Sequence, residues 1–226
     1  ESVPAGSVLI PKSLAAVERK AKNIILLIGD GMSASQVSSY RLLKGGPNAR
    51  LAVDKFPISG IVLTHSEDAI VTDSASSATA YSTGIKTNNT FLGLDKDKNV
   101  LENLTEKIHG YGFVSSLIAT SEVTHATPAA FAAHIDLRWK TDEISAQMMD
   151  SNVVTILGGG RHFFLTEEMG GKREDGRDLL QEVENSHVLL THKDQLNDFD
   201  QTTSGKVVGL FADEHLRDLE KPENHS

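Results

Sequence analysis

The sequence contains no cysteine. That excludes disulfides, zinc–thiolate centres and cysteine nucleophiles, and it leaves the redox compartment open. It has few aromatics, 5% of its residues. It has no long hydrophobic run: the longest, Ile24 to Ile28, is far too short to span a bilayer. It has no basic excess. The formal net charge of −9 argues against nucleic acid as the main partner, because a phosphate backbone calls for a basic surface. A small phosphorylated ligand needs only a local positive site and stays open. Internal repeats and low-complexity segments are also missing. The chain opens Glu1-Ser2-Val3-Pro4-Ala5 with neither Met nor a signal peptide, as a processed or trimmed form would.

What is present describes an ordinary globular protein. The 226 residues are 39% hydrophobic and 23% charged, enough for one large domain with a sizeable core. Residues 1–22 read as an arm and a short charged helix, Pro11 to Lys22, and residues 23–226 as a single catalytic-sized domain. Apolar strand candidates at Asn23–Ile28, Ile58–Thr64, Phe113–Ala119, Val153–Leu157, His187–Thr191 and Lys206–Phe211 alternate with helical patterns. Those patterns follow Ala34 and cover Val100–His109, Thr141–Met149 and Gly176–Glu184, and a further helix opens near Pro128. Asn99 is the expected cap of the Val100 helix, and residues 84–98 suggest a surface hairpin. This alternation predicts an α/β fold: a predominantly parallel central sheet with helices on both faces. Asn-x-Thr triplets at Asn88 and Asn103 match the glycosylation pattern but recur by chance and carry no weight.

The chain is organised around Ala69 to Ala80. It begins apolar and β-branched, as a buried strand would. It then turns abruptly to small residues, which suit a closely packed helix. At the switch stand Asp73 and Ser74. A serine there lies among free backbone N–H groups and the positive end of the helix dipole, a place that favours an anion. The plainer reading is a helix cap on a well-packed helix.

Two other strand ends carry polar residues. Gly29-Asp30-Gly31 with Ala34 fits a loose dinucleotide fingerprint, but Asp30 would repel the pyrophosphate. Asp30 reads better as a hard oxygen ligand for a cation, or as a plain turn residue. The third strand end carries His125-Ala126-Thr127-Pro128, with Arg138 beyond it.

Taken together, these segments resemble the alkaline phosphatase family. The matching residues are Gly29-Asp30-Gly31-Met32, Val71-Thr72-Asp73-Ser74-Ala75 with Ala78-Thr79-Ala80 and Ser82-Thr83-Gly84, and His125-Ala126-Thr127-Pro128-Ala129-Ala130 with Ala133-His134. Gly158-Gly159-Gly160-Arg161 and Val208-Gly209-Leu210-Phe211 look like later family segments. The resemblance implies metal-dependent hydrolysis of phosphate monoesters through a phosphoserine, with two zinc ions and one magnesium. It assigns Ser74 as nucleophile and zinc ligand, and Asp30 as the bridge between that zinc and the third metal. Thr127 becomes a third-metal ligand. Arg138 grips phosphate and Asp73 orients Arg138. His125 stands where members vary between aspartate and histidine, and it would tune the third-metal site. Inorganic phosphate, a homodimer and a periplasmic or secreted location are implied in the same way.

The chemistry suits these residue types. A serine hydroxyl is a poor nucleophile near neutral pH and needs a base or a metal. A guanidinium matches the equatorial oxygens of a transferring phosphoryl group in a way that lysine does not.

The family's remaining zinc ligands lie in a second half beyond this chain, and Asp213, His215 and His225 do not match them; they read as surface residues. The expectation is therefore a fragment, a nicked piece or one part of a two-part assembly, inactive alone and with an exposed apolar edge. The rivals are a phosphodiesterase or sulfatase of the same superfamily, a metal-free serine hydrolase using Ser74 with His125 or His134, and a non-catalytic phosphate- or nucleotide-binding domain. The serine hydrolase lacks the Gly-x-Ser-x-Gly elbow.

Overall fold

The computed structural model describes residues 21–200 and 205–216. The expected Pro11–Lys22 helix falls almost wholly outside them. The chain gathers into two compact units, Glu1–Leu63 and Thr64–Ser226.

In the first unit the main element is helix α1, Ala34–Gly45. Ser33 starts it, accepting the Ser35 N–H while Gln36 reaches back to the Ser33 N–H, which together satisfy N–H groups a helix start leaves free. Gly46, at φ 83°, ends it. Asp30 sits in the turn before α1, closed by the Met32 N–H donating to the Gly29 carbonyl at 3.0 Å. Arg41 forks onto Asp54 (Nη2–Oδ1 2.8 Å) and holds that carboxyl far below its ordinary range, chiefly by this hydrogen bond.

The second unit contains a four-stranded, fully parallel sheet in the order β1-β2-β4-β3. Its strands are β1 (Ser116–Glu122), β2 (Thr155–Gly159), β3 (Val188–Leu190) and β4 (Val207–Leu210). Leu117 pairs with Ile156, and Ile156 with Val208. The parallel α/β expectation therefore holds. All four residues of β4 are buried, the continuous apolar reading expected of a strand covered on both sides. Helices α2 (Ser74–Thr83), α3 (Leu104–His109), α4 (Ala126–Ala129), α5 (Thr141–Asp150), α6 (Leu179–Ser186) and α7 (Lys193–Asn197) complete the unit. The core joins alanines of α2 and α4 to Ile144, Met148, Phe164, Val183 and Val208. Arg173 is fully buried yet paired: its guanidinium meets Asp175, the Ser145 hydroxyl at 2.6 Å and the Phe163 carbonyl at 3.0 Å.

Several expectations are corrected. The segments Asn23–Ile28 and Ile58–Thr64 and the apolar run before Ser74 form no strand. Their side chains stand in solvent: Ile25 is 84% exposed, Leu63 76% and Ile70 92%. An apolar β-branched run becomes a strand only where a neighbouring strand pairs with it in a ladder, and the sheet of the described residues is built from other segments. β1 is an edge strand with Ile118 exposed. Helix α3 starts at Leu104 rather than Val100 because Asn103, not Asn99, caps it. The Asn103 side chain accepts the Thr105 and Glu106 N–H groups and Glu106 reciprocates. Asn99 is instead bound to Asp95. Asn103 is completely buried, which removes it as a glycosylation acceptor. The expected 84–98 hairpin reduces to a turn bridged by Leu94 and Val100, while Leu92 pairs with Ile135 and is buried.

Candidate active site

Ser74 is the first residue of α2, and Asp73 is its cap. The Asp73 Oδ1 accepts the Ser76 N–H at 2.9 Å. Asn89 braces the same turn by accepting the Asp73 N–H at 2.9 Å and donating to the Val71 carbonyl at 3.0 Å. The small residues of α2 have a steric purpose: Ala75, Ser76, Ala78, Thr79 and Ser82 are all buried, and only short side chains let the helix seat against α4. Thr79 ties the helix to the following loop, donating to the Phe91 carbonyl at 3.1 Å and accepting the Gly93 N–H at 3.0 Å.

Arg138 is brought to this helix start from 64 residues away. Its own N–H donates to the Thr90 carbonyl at 3.0 Å, which pins the backbone. Its guanidinium then spreads over three partners. Nη1 donates to the Ser74 Oγ at 2.7 Å and to the Asp73 Oδ2 at 3.1 Å, and Nη2 to the His125 Nε2 at 3.3 Å. The Arg138 side chain is only 13% exposed and that of Asp73 26%. Burial pushes the Asp73 carboxyl up, but the Ser76 N–H and Arg138 outweigh it and leave it below its ordinary value. Asp73 therefore stays ionised and balances the arginine beside the serine.

His125 caps α4 at the end of β1, and Thr127 follows in the first turn of that short helix. An open cavity of about 370 Å³ lies here, lined by Glu122, Thr124, His125, Arg138, Trp139 and Lys172 among others. That volume falls in the range of small-ligand sites, roughly 300–1,000 Å³. The Thr124 hydroxyl is buried there without a hydrogen-bond partner.

The second unit thus unites Ser74, Asp73, Arg138 and His125, with Thr127 beside His125. Asp30 belongs to the first unit, where it is exposed. Asn89 and Thr90, which hold Asp73 and Arg138 in place, were missed by sequence reasoning. Thr90 has φ 73°, and an Asn-Asn-Thr turn gives no signal of a role. His134 is far from free to serve as a base for Ser74: its ring nitrogens meet the Gly93 carbonyl at 2.9 Å and Glu106 at 2.8 Å.

The metal expectation is tested by the donor set. Among the described residues no group of three or more His, Asp or Glu could hold a metal ion. The assigned donors, Asp30, Ser74 and Thr127, are all oxygens. They suit a hard divalent cation such as magnesium. They fall short of a zinc centre, which normally takes three or four protein ligands with nitrogen or sulfur among them.

A family model described as alkaline phosphatase matches residues 21–225. Alkaline phosphatase 4 of Bacillus subtilis is 33% identical over 204 residues, covering 85% of this chain and 42% of that protein. The alkaline phosphatase of Escherichia coli is 31% identical over 228 residues, covering 88% and 48%. The solved alkaline phosphatase of the Antarctic bacterium TAB5 superposes with a TM-score of 0.76 at 35% identity, covering 86% of this chain and 54% of that one. A histidine-to-aspartate variant of the TAB5 enzyme was solved with magnesium bound in its M3 site. The chain spans about half the length of the curated relatives it matches. Among the described residues, no helix is long and apolar enough to cross a membrane.

Proposed function

The chain belongs to the alkaline phosphatase family, and from that premise we propose that it carries the serine and phosphate-binding half of a metal-dependent phosphomonoesterase. The observation that supports this reading most is the Arg138 Nη1 placed 2.7 Å from the Ser74 Oγ at the start of a ten-residue helix. A phosphoryl group entering there would meet the guanidinium, the helix N-terminus and the serine together. The Ser74 Oγ attacks phosphorus and the ester oxygen departs, leaving phosphoserine; water then releases inorganic phosphate and restores the hydroxyl.

Each residue has a defined part. Arg138 keeps Nη1 on Asp73 and Nη2 on His125 and turns the second hydrogen of each nitrogen onto two phosphoryl oxygens, where it stabilises charge that grows in the transition state. Asp73 keeps the guanidinium aimed and caps the helix that presents Ser74. Among the described residues the Ser74 hydroxyl accepts from Arg138, and an arginine cannot take its proton. Divalent cations would supply the activation by lowering the pKa of the serine hydroxyl and of water; Ser74 and Thr127, and Asp30 from the first unit, are the assigned ligands, with others from outside this set. The reading retains two zinc ions and one magnesium, a homodimer in the complete protein, and a periplasmic or secreted location.

The test is a substrate comparison on the full-length protein with metals present. An aryl phosphate monoester should be hydrolysed far faster than the matching diester or sulfate ester, and a chelator should stop it. Preference for the diester or the sulfate would move the protein to a sibling activity. Covalent labelling of Ser74 by a fluorophosphonate that persists in chelator would favour a metal-free hydrolase.

A further inference from the structure

The described residues after β4 stay at the site. Residues 211–216 fold back across the ends of β1 and β2. The Gly160 N–H donates to the Ala212 and Glu214 carbonyls at 2.9 and 3.0 Å, the Arg161 N–H to Ala212 at 3.0 Å, and the Leu216 N–H to the Thr120 carbonyl at 2.9 Å. Two ion pairs flank this strap, Arg161–Asp213 and Lys172–Glu214, each at 3.0 Å. The fit depends on Gly159: a Cβ built there would lie 1.9 Å from the Glu214 carbonyl oxygen.

The strap delivers His215. Its Nδ1 accepts the Glu122 N–H at 3.1 Å, so the ring is clamped to the end of β1, three residues before His125. The His125 and His215 rings meet edge to face, with centroids 5.6 Å apart and planes at 78°. On its other side the His125 Nε2 faces the Arg138 Nη2 at 3.3 Å. Arginine can only donate, so this nitrogen of His125 is the acceptor. A continuous series therefore runs from a backbone N–H of β1, through two imidazoles, to the guanidinium.

We propose that His215 is a positioning residue for the phosphate clamp: it fixes the plane of His125, and His125 fixes the Nη2 arm of Arg138. Sequence reading places His215 on the surface, and it is exposed, but its ring lies against the one that touches the arginine. The inference rests on Arg138 binding phosphate.

The experiment is a double-mutant cycle on the full-length protein, with inorganic phosphate as the titrant in calorimetry. His215→Asn keeps an oxygen that can accept the Glu122 N–H and removes the ring edge; His215→Ala removes both. Because edge-to-face aromatic pairs are worth only modest energies, each variant should weaken phosphate binding roughly three- to tenfold. Neither should weaken it further in a His125→Ala background, since residues coupled through one contact are non-additive. An unchanged phosphate affinity in His215→Asn, or an equal loss with and without His125, overturns the proposal. Arg138→Ala is the reference: if it leaves phosphate affinity intact, the phosphate-clamp reading itself fails, a separate outcome from failure of the histidine series.

Discussion

Replacing Arg138 with lysine keeps one positive charge at the site and removes the planar fork. The backbone bond from residue 138 to the Thr90 carbonyl survives, so the segment should stay in place. What changes is the geometry of donation. Arg138 presents Nη1 to Ser74 and Asp73 and Nη2 to His125, two separate nitrogens that one ammonium cannot replace together. On phosphate, the fork would make two charge-assisted hydrogen bonds and lysine one. Each such bond is worth about 1.5–3 kcal/mol, and 1.4 kcal/mol is about tenfold in affinity. Arg138→Lys should therefore weaken phosphate binding by roughly ten- to a hundredfold. Arg138→Ala removes both bonds and leaves the half-buried Asp73 carboxylate without its cation, so its loss should be larger still. The assay is the inhibition constant for inorganic phosphate against an aryl monoester, read beside metal content. An unchanged constant in Arg138→Ala, with the protein folded and metals retained, would refute the clamp. Equal behaviour of the lysine variant and the native protein would refute the fork.

Two further outcomes follow from the same account. Asp30→Asn should lower metal content after dialysis more than Thr127→Ala, because Asp30 brings charge and is assigned to two ions; the reverse order would reverse the ligand assignment. Asp136 is drawn down to about 2 by its hydrogen bonds to Lys98 and Lys140. Its folded value lies below the unfolded carboxylate value of roughly 3.9, so its contribution is present above that value and lost as pH falls toward 2. Asp136→Asn should flatten the acid limb of a stability–pH curve and leave pH 5–8 unchanged in shape; a change confined to the neutral range would contradict this.

The helix start at Ser74 was legible because the change from β-branched to small residues is a local signal, and so was the cap, since Asp73 needs only its own helix to act. Strands β2 and β4 were legible because short, nearly continuous apolar runs suit buried parallel strands. The run Ile24–Ile28 carries the same local signal yet forms no strand, because pairing is a property of two segments and composition reports only one. The start of α3 was misplaced for a related reason: Asn99 and Asn103 are equally good caps by type, and Asp95 decides between them by occupying Asn99. Arg138 was reached through family resemblance, not spacing. Its anchor at Thr90 and the approach of His215 to Glu122, 93 residues away, come from tertiary folding, which no short pattern encodes.

The claim that Ser74 is the residue that receives the phosphoryl group can be measured directly. The full-length protein is incubated with inorganic phosphate at mildly acid pH, quenched, digested and searched for phosphopeptides. Phosphate is expected on Ser74, and none in Ser74→Ala. Phosphate trapped on another side chain, or trapped equally in Ser74→Ala, would contradict it.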